Sequence, residues 1–401
     1  MKLSLLLILS LVLTGCRAVD DEPTQTPDDE MVVIPQEPVV EERIDEEPEP
    51  EPEPESEKRI SFYGLGDNLI HGFVYMNAYK GNSVYDFTPI YKNLANDIGA
   101  ADIAYINQET VLGGDHKGFS GYPNFNTPSG MAQSLVTLGF DIVNGSNNHT
   151  LDMGTDGLLN SLDYWSEFED EVVFTGAFSS QEHRDTIPVL ERDGMKVSFL
   201  TYTYGTNGHV REASYQVNYF DPDLITNDVK RAQEISDFVV VAPHWGTEYA
   251  MTPNDMQLEY AQLMADLEVD AVIGSHPHVI QPVEWVEGAT GHQTLVAYSL
   301  GDVVSSAITD KTLLGGSLQY DFVLNGEERS IENVHFEPNV IHYEVGSNGT
   351  INSRTNFEVI KLKDFTPEHE QRHALNGYQG NIVTKDYFTR IVEDVIPEEF
   401  R

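Results

Sequence analysis

Residues 239–285 constrain what this chain can fold into more than any other stretch. Val239–Ala242 is a short, apolar and mostly β-branched run, the composition of a buried strand, and it runs out into His244. Met256–Leu267 then has the apolar spacing of a helix, and Ala271–Ile273 is a second buried strand, ending in Gly274-Ser275-His276-Pro277-His278. Strand, helix, strand is the unit of a parallel α/β sheet, and such sheets bind ligands beyond the carboxyl ends of their strands. Two successive strands thus deliver three imidazoles to one edge. Pro277 restricts the backbone between His276 and His278, so both rings can be held toward one centre. Neutral imidazole is the commonest protein ligand for divalent transition metals, and a metal site is the expectation.

Other predicted strands end the same way. Arg59–Tyr63 leads through Gly64-Leu65-Gly66 to Asp67, with His71 four residues on. Ile103–Ile106 runs into Asn107-Gln108-Glu109, and Asp141–Asn144 into Asn147-Asn148-His149. Helices are expected over Asp86–Asn96, Pro128–Leu138, Thr155–Phe168 and Asp223–Ile235, and further strands over Val172–Phe174, Val197–Tyr202, Val217–Phe220, Val279–Trp285, Gln293–Ser299 and Ser317–Leu324. Val334–Glu344 and Thr355–Lys361 read as antiparallel strands closing a second sheet. Strands and helices alternate early and strands dominate late, which predicts an α/β fold (an α+β sandwich) of sheets flanked by helices. Gly113–Asn126, rich in Gly, Asn, Tyr and Phe, reads as a surface loop with the makings of a lid. His209, His292, His335 and His342 show no clustering and read as ordinary histidines.

Composition narrows the partners. A formal charge of −43 argues against nucleic acid, since phosphate binding needs a basic face, and against anionic membrane surfaces. The single cysteine, Cys16, leaves the rest of the chain without disulfides or thiolate ligands, so any metal must be held by His, Asp, Glu and Asn. Leu3–Leu13 has the length of a signal-peptide core and is too short to span a bilayer. Leu13-Thr14-Gly15-Cys16 resembles a bacterial lipobox, which implies that Cys16 is lipidated and tethers the chain outside the cytoplasmic membrane. Residues 17–58 carry 17 Asp and Glu against Arg17, Arg43 and Lys58 and include a Glu-Pro repeat; they read as a disordered, extended stalk. The expected organisation is therefore a signal segment over 1–16, the stalk over 17–58, the main folded domain over 59–364 and a helical extension over 365–401.

From about residue 60 to 306 the chain resembles the CapA family, proteins of poly-γ-glutamate capsule synthesis built on the calcineurin-like metallophosphoesterase fold. The resemblance rests on Gly66-Asp67-Asn68, Ala101-Asp102 through Glu109, and Gly139-Phe140-Asp141 through Asn147-Asn148-His149-Thr150-Leu151-Asp152-Met153-Gly154. His244-Trp245-Gly246-Thr247-Glu248-Tyr249, Gly274 through His278, and Tyr298-Ser299-Leu300-Gly301-Asp302 complete it. It implies two divalent ions (manganese, zinc or iron), with Asp67 and His278 on one, Asn148, His244 and His276 on the other, and Glu109 bridging. It also implies His149 as general acid, with His71 a second catalytic candidate although it is shifted from the wider superfamily's first motif. Glu109 stands where that superfamily has a bridging Asp. Asn107 is expected to support by hydrogen bonding, Trp245 and Tyr249 to wall a pocket, and Glu248 either to hold an imidazole or to cap a turn. The implied function is capsule-polymer synthesis or export at the cell surface, with membrane anchorage and the proteins of that assembly as partners. A dinuclear metal-dependent phosphoesterase of an unrelated extracellular substrate is the alternative, and a substrate-binding lipoprotein a third reading.

Overall fold

A computed structural model describes residues 57–401 together with Pro35. Cys16, the signal segment and nearly all of the acidic stretch lie outside the described residues.

The strand Lys58–Asn68 lies at the middle of the first sheet and is buried almost throughout from Ile60 onward. On one side it pairs in parallel with Ile103–Asn107, beyond which lie Ile142–Asn144 and Val173–Thr175, also parallel. On the other side it pairs antiparallel with Leu314–Asn325, followed by Glu328–Val345 and Arg354–Lys361. The short strand Asp302–Val304 pairs in parallel with its end, setting Asp302 opposite Asp67. The second sheet runs Val283–Glu287, Gln293–Ala297, Ala271–Ile273, Phe238–His244, Met195–Thr203, Val189–Arg192, with a parallel interior and antiparallel edges.

Alternation along the strands explains how the layers stack. In Phe238–His244 the side chains of Phe238, Val240 and Ala242 join the core shared with the first sheet, where the Phe238 and Phe322 rings lie 4.9 Å apart. Val239 and Val241 point the other way, onto Ile225, Val229 and Ala232 of the helix Pro222–Gln233 and Ala261 and Met264 of the helix Asp255–Asp266. A strand apolar on both faces is the mark of a sheet buried between layers. Each buried Val, Ile, Phe or Met among them contributes about 1.5–3 kcal/mol by leaving water. The result is a two-sheet α/β sandwich flanked by helices. The helix Lys385–Val395 adds Phe388, Ile391 and Val392 to the shared core.

Several elements differ from expectation. The late strands extend the first sheet instead of closing a second, because Leu314–Asn325 finds a long antiparallel register along the opening strand, from Lys58 opposite Leu324 to Leu65 opposite Ser317. Val217–Phe220 forms no strand; Tyr219 only bridges Thr203. The helix expected over Asp86–Asn96 is a 3-10 turn at Thr88–Tyr91 followed by a helix at Ala95–Ala100. Pro89 suits only the first turn of such an element, having no N–H to give. The strand expected from Val279 starts at Val283, since the chain before it is occupied in the turns around His276 and His278.

Candidate metal centre

Close backbone approach builds the floor of the site. A Cβ on Gly66 would sit 2.0 Å from the carbonyl oxygen of Gly301, and the N–H of Asp67 donates to that same oxygen at 2.8 Å. Only glycine lets these two strand ends touch, and the contact places the Asp67 and Asp302 carboxylates side by side. The loop after Ala271–Ile273 is bent onto them: the His276 N–H donates to Asp67 Oδ2 at 3.1 Å. His276 and His278 hold φ values of +101° and +58°, a conformation costing on the order of 1–3 kcal/mol per residue that must be sustained by its surroundings.

Seven side chains converge there, with Ser275 behind them. Glu109 Oε1 lies 3.6 Å from both His244 Nε2 and His278 Nε2. His244 Nε2 is 3.0 Å from Asn148 Oδ1, and its Nδ1 is 2.9 Å from Ser275 Oγ. His278 Nδ1 is 2.9 Å from Asp302 Oδ1 and 3.2 Å from Asp67 Oδ2. The His276 ring centroid stands 4.8 Å from that of His244 and 5.9 Å from that of His278. All these side chains are buried, Asp67, Glu109 and His244 completely. Three overlapping sets have donor atoms within 4.8 Å of one another: Glu109, His276 and His278; Asp67, His278 and Asp302; Asp67, Glu109 and His244.

The residues fit divalent cations. Both oxygens of Glu109, Nδ1 of His276 and Oδ2 of Asp302 are buried without any hydrogen-bond partner among the described residues. Leaving a charged group in that state costs several kcal/mol, about what a cation would restore. An all-nitrogen and oxygen donor set suits manganese, zinc or iron. The electrostatics point the same way. Burial raises Glu109 well above the usual carboxylate range, with His278 opposing and Asp67 and Asp302 adding to the rise. Burial lowers His244 well below its ordinary value, reinforced by His276 and His278, and takes His276 down to about 3. Burial also works against charge on His278, but Glu109 and Asp302 outweigh it and raise that imidazole well above its ordinary value.

A second group flanks the first. His149 Nδ1 is 2.8 Å from Asp152 Oδ2, and the same oxygen accepts the Phe125 N–H at 2.7 Å. The Phe125 ring stands edge-on between His149, at 4.7 Å, and His71, at 5.3 Å. The stretch Gly113–Asn126 is thus not simply a surface loop: Phe125 and Asn126 are fully buried, and Asn126 Nδ2 donates to the carbonyls of Gly114 and Gly118. His71 is partly buried, its Nδ1 accepts the Ser306 N–H at 3.3 Å, and burial takes it down to about 4. It joins none of the three donor sets. Asn107 Nδ2 donates to Asp67 Oδ1 at 2.8 Å, and its own oxygen accepts from Asn144.

Three expectations change. Trp245 walls no pocket: it is fully buried in the core beneath the second sheet, its Nε1 donating to the Tyr298 carbonyl at 2.9 Å. Glu248, expected either to hold an imidazole or to cap a turn, is exposed, and among the described residues it bonds to no imidazole; Ser275 holds His244. His209 is not remote, since its Nε2 lies 3.9 Å from Asp152 Oδ1. Tyr249 is half-exposed at the rim, its ring 6.1 Å from His278. Asp302, Asp152, Ser275 and Tyr204 were not singled out as site residues; Tyr204 lies 4.6 Å from the His276 ring, centroid to centroid. For Asp302 a signal existed, because Gly301-Asp302 repeats the Gly66-Asp67 pattern after a strand.

Residues 61–307 match the family described as "Bacterial capsule synthesis protein PGA_cap". The chain belongs to that family. The match spans every residue of the centre, from Asp67 to Asp302. Two curated relatives are the PGA biosynthesis protein CapA of Bacillus subtilis (strain 168), 30% identical over 197 residues, 49% of this chain and 50% of the relative, and the capsule biosynthesis protein CapA of Bacillus anthracis, 28% identical over 200 residues, 48% and 47% respectively. The aligned part spans about half the length of each of these PGA_cap relatives. A solved structure described as a novel phosphatase from Mycoplasma pneumoniae aligns at a TM-score of 0.44 and 11% identity, covering 71% of this chain and 94% of that one. A likeness at that level adds nothing to the family assignment.

Proposed function

We propose that this PGA_cap chain acts at the cell surface in the synthesis or export of a poly-γ-glutamate-type polymer, through a buried divalent-metal centre with hydrolytic chemistry. The observation that carries the metal reading is Glu109, a fully buried carboxylate with neither oxygen hydrogen-bonded among the described residues, its Oε1 equidistant from His244 and His278. Family membership and the CapA relatives support the capsule part. Asp67, Glu109, Asn148, His244, His276 and His278 would hold the ions. A cation pair bound there supplies Lewis acidity and an activated water.

The remaining steps fall to the chain's own groups. Asp152 fixes His149 through Nδ1, which leaves Nε2 as the proton donor to the departing nitrogen or oxygen of substrate. Phe125, buried with its ring edge-on to His149, would limit the access of water from that side. Ser275 sets the His244 ring so that Nε2 faces Asn148 and Glu109. A strongly acidic chain repels a free polyanion, so the polymer would arrive with its counter-cations.

The overlapping donor sets that share Glu109 also suit a phosphoester, whose attacking and leaving oxygens a metal pair clamps. The test is to load purified protein with manganese or zinc and follow chain-shortening of poly-γ-glutamate beside turnover of phosphomonoesters and phosphodiesters. Metal-dependent shortening is expected. Phosphoester turnover alone would move the assignment to an extracellular phosphoesterase, and full metal loading with no turnover of any substrate would end the hydrolytic reading.

A further inference from the structure

We propose that Asp302 is a metal-holding residue of the centre, taking with Asp67 the place that His71 does not reach. The inference rests on the reading that the centre binds divalent cations. Asp302 is 1% exposed, and its two oxygens do different things. Oδ1 lies 2.9 Å from His278 Nδ1, while Oδ2 is buried and makes no hydrogen bond among the described residues; the Ser305 hydroxyl favours the charged carboxylate without closing a bond of proper geometry. A residue present only to orient His278 would need one oxygen and would leave the other stranded. Asp302 is also brought to the spot by design of the sheet, since its strand pairs in parallel with the opening strand and sets it opposite Asp67.

Charge balance argues for the same assignment. Asp67, Glu109 and Asp302 are three fully buried carboxylates, and among the described residues neither Lys nor Arg pairs with any of them. Ionising all three together in a low-dielectric site needs a compensating charge, which a divalent ion would supply. The donor set Asp67, His278 and Asp302 has its atoms within 4.8 Å of one another, whereas His71 belongs to no such set and its ring faces Phe125. Asp302 Oδ2 then holds the ion together with Asp67, and Oδ1 keeps His278 turned so that its Nε2 faces Glu109.

The test compares wild type with Asp302→Asn, Asp302→Ala and His71→Ala, each stripped with chelator and titrated with manganese or zinc. Stoichiometry, affinity and the melting temperature of the metal-free and loaded forms are measured. Asp302→Asn keeps a carbonyl oxygen that can accept the His278 N–H and removes the charge. The expected result is loss of one ion in both Asp302 variants, or its weakening by more than about 100-fold, beyond what an outer hydrogen-bonding partner gives. His71→Ala should bind as wild type does. The metal-free Asp302→Asn form should melt no lower than metal-free wild type, since it sheds one charge from a crowded carboxylate cluster, and this separates ligand loss from misfolding. Full binding by Asp302→Asn with loss only in Asp302→Ala would overturn the proposal, reducing Asp302 to a positioning group for His278. Loss of an ion in His71→Ala with none in Asp302→Asn would overturn it as well. Absence of metal binding by wild type would instead bring down the reading on which it rests.

Discussion

At the scale of residues, the ligand candidates were legible because strand ends announce themselves. His244, His276 and His278 follow short apolar runs, and the parallel sheet they imply has a functional edge. Trp245 shows where adjacency in sequence misleads. It follows His244 directly, but alternation carries it to the opposite face with Val239 and Val241, so it packs in the core and not beside the candidate ligands. Asp302 was harder to see, since a Gly-Asp after a strand reads as a turn until a pairing more than two hundred residues apart in sequence sets it against Asp67. Asp152 was equally hidden, because its value lies in holding His149. That pair gives the prediction at this scale. His149→Ala should keep its metal and its melting temperature, as His149 belongs to none of the donor sets, while turnover falls by roughly 10²- to 10⁴-fold. Metal content, thermal melts and rates on the one variant decide it; unchanged turnover would remove His149 from the chemistry.

At the scale of elements, the interior strands were readable from β-branched runs and the long helices from apolar periodicity. The failures lie where tertiary contacts decide. The turns of 274–282 depend on the Asp67 carboxylate that accepts the His276 N–H, and Val217–Phe220 was claimed by a single bridge to Thr203. The stretch Gly113–Asn126 had a loop's composition, yet its end is pinned through the Phe125 N–H to Asp152 and through the Phe125 ring between two imidazoles. Phe125→Ala should therefore loosen His149 and admit water without touching a ligand. We expect turnover to fall about 10- to 100-fold, the scale of a small misplacement of a reacting group, with metal stoichiometry unchanged. A variant that loses metal would mean that this segment shapes the ligand cluster itself.

At the scale of the whole molecule, the early alternation of strand and helix did predict layered sheets, but not which sheet the late strands join. That choice is made by the long antiparallel register between Leu314–Asn325 and the opening strand, a match between segments far apart in sequence that local pattern does not reveal. The proposed surface location rests on Cys16, which lies outside the described residues. Cys16→Ala should move the protein from the membrane fraction to the soluble or secreted one, and unchanged fractionation with an unmodified mature N-terminus would refute lipid anchorage. The most direct measurement is the metal content of protein purified without chelator, taken for wild type and Glu109→Gln together. Two divalent ions are expected per wild-type chain, with loss of bound metal in Glu109→Gln and a metal-free Glu109→Gln form no less stable than metal-free wild type, because a buried carboxylate without a partner among the described residues has been neutralised. Metal-free wild type that takes up no ion on titration, or Glu109→Gln retaining the wild-type complement, would contradict the metal reading.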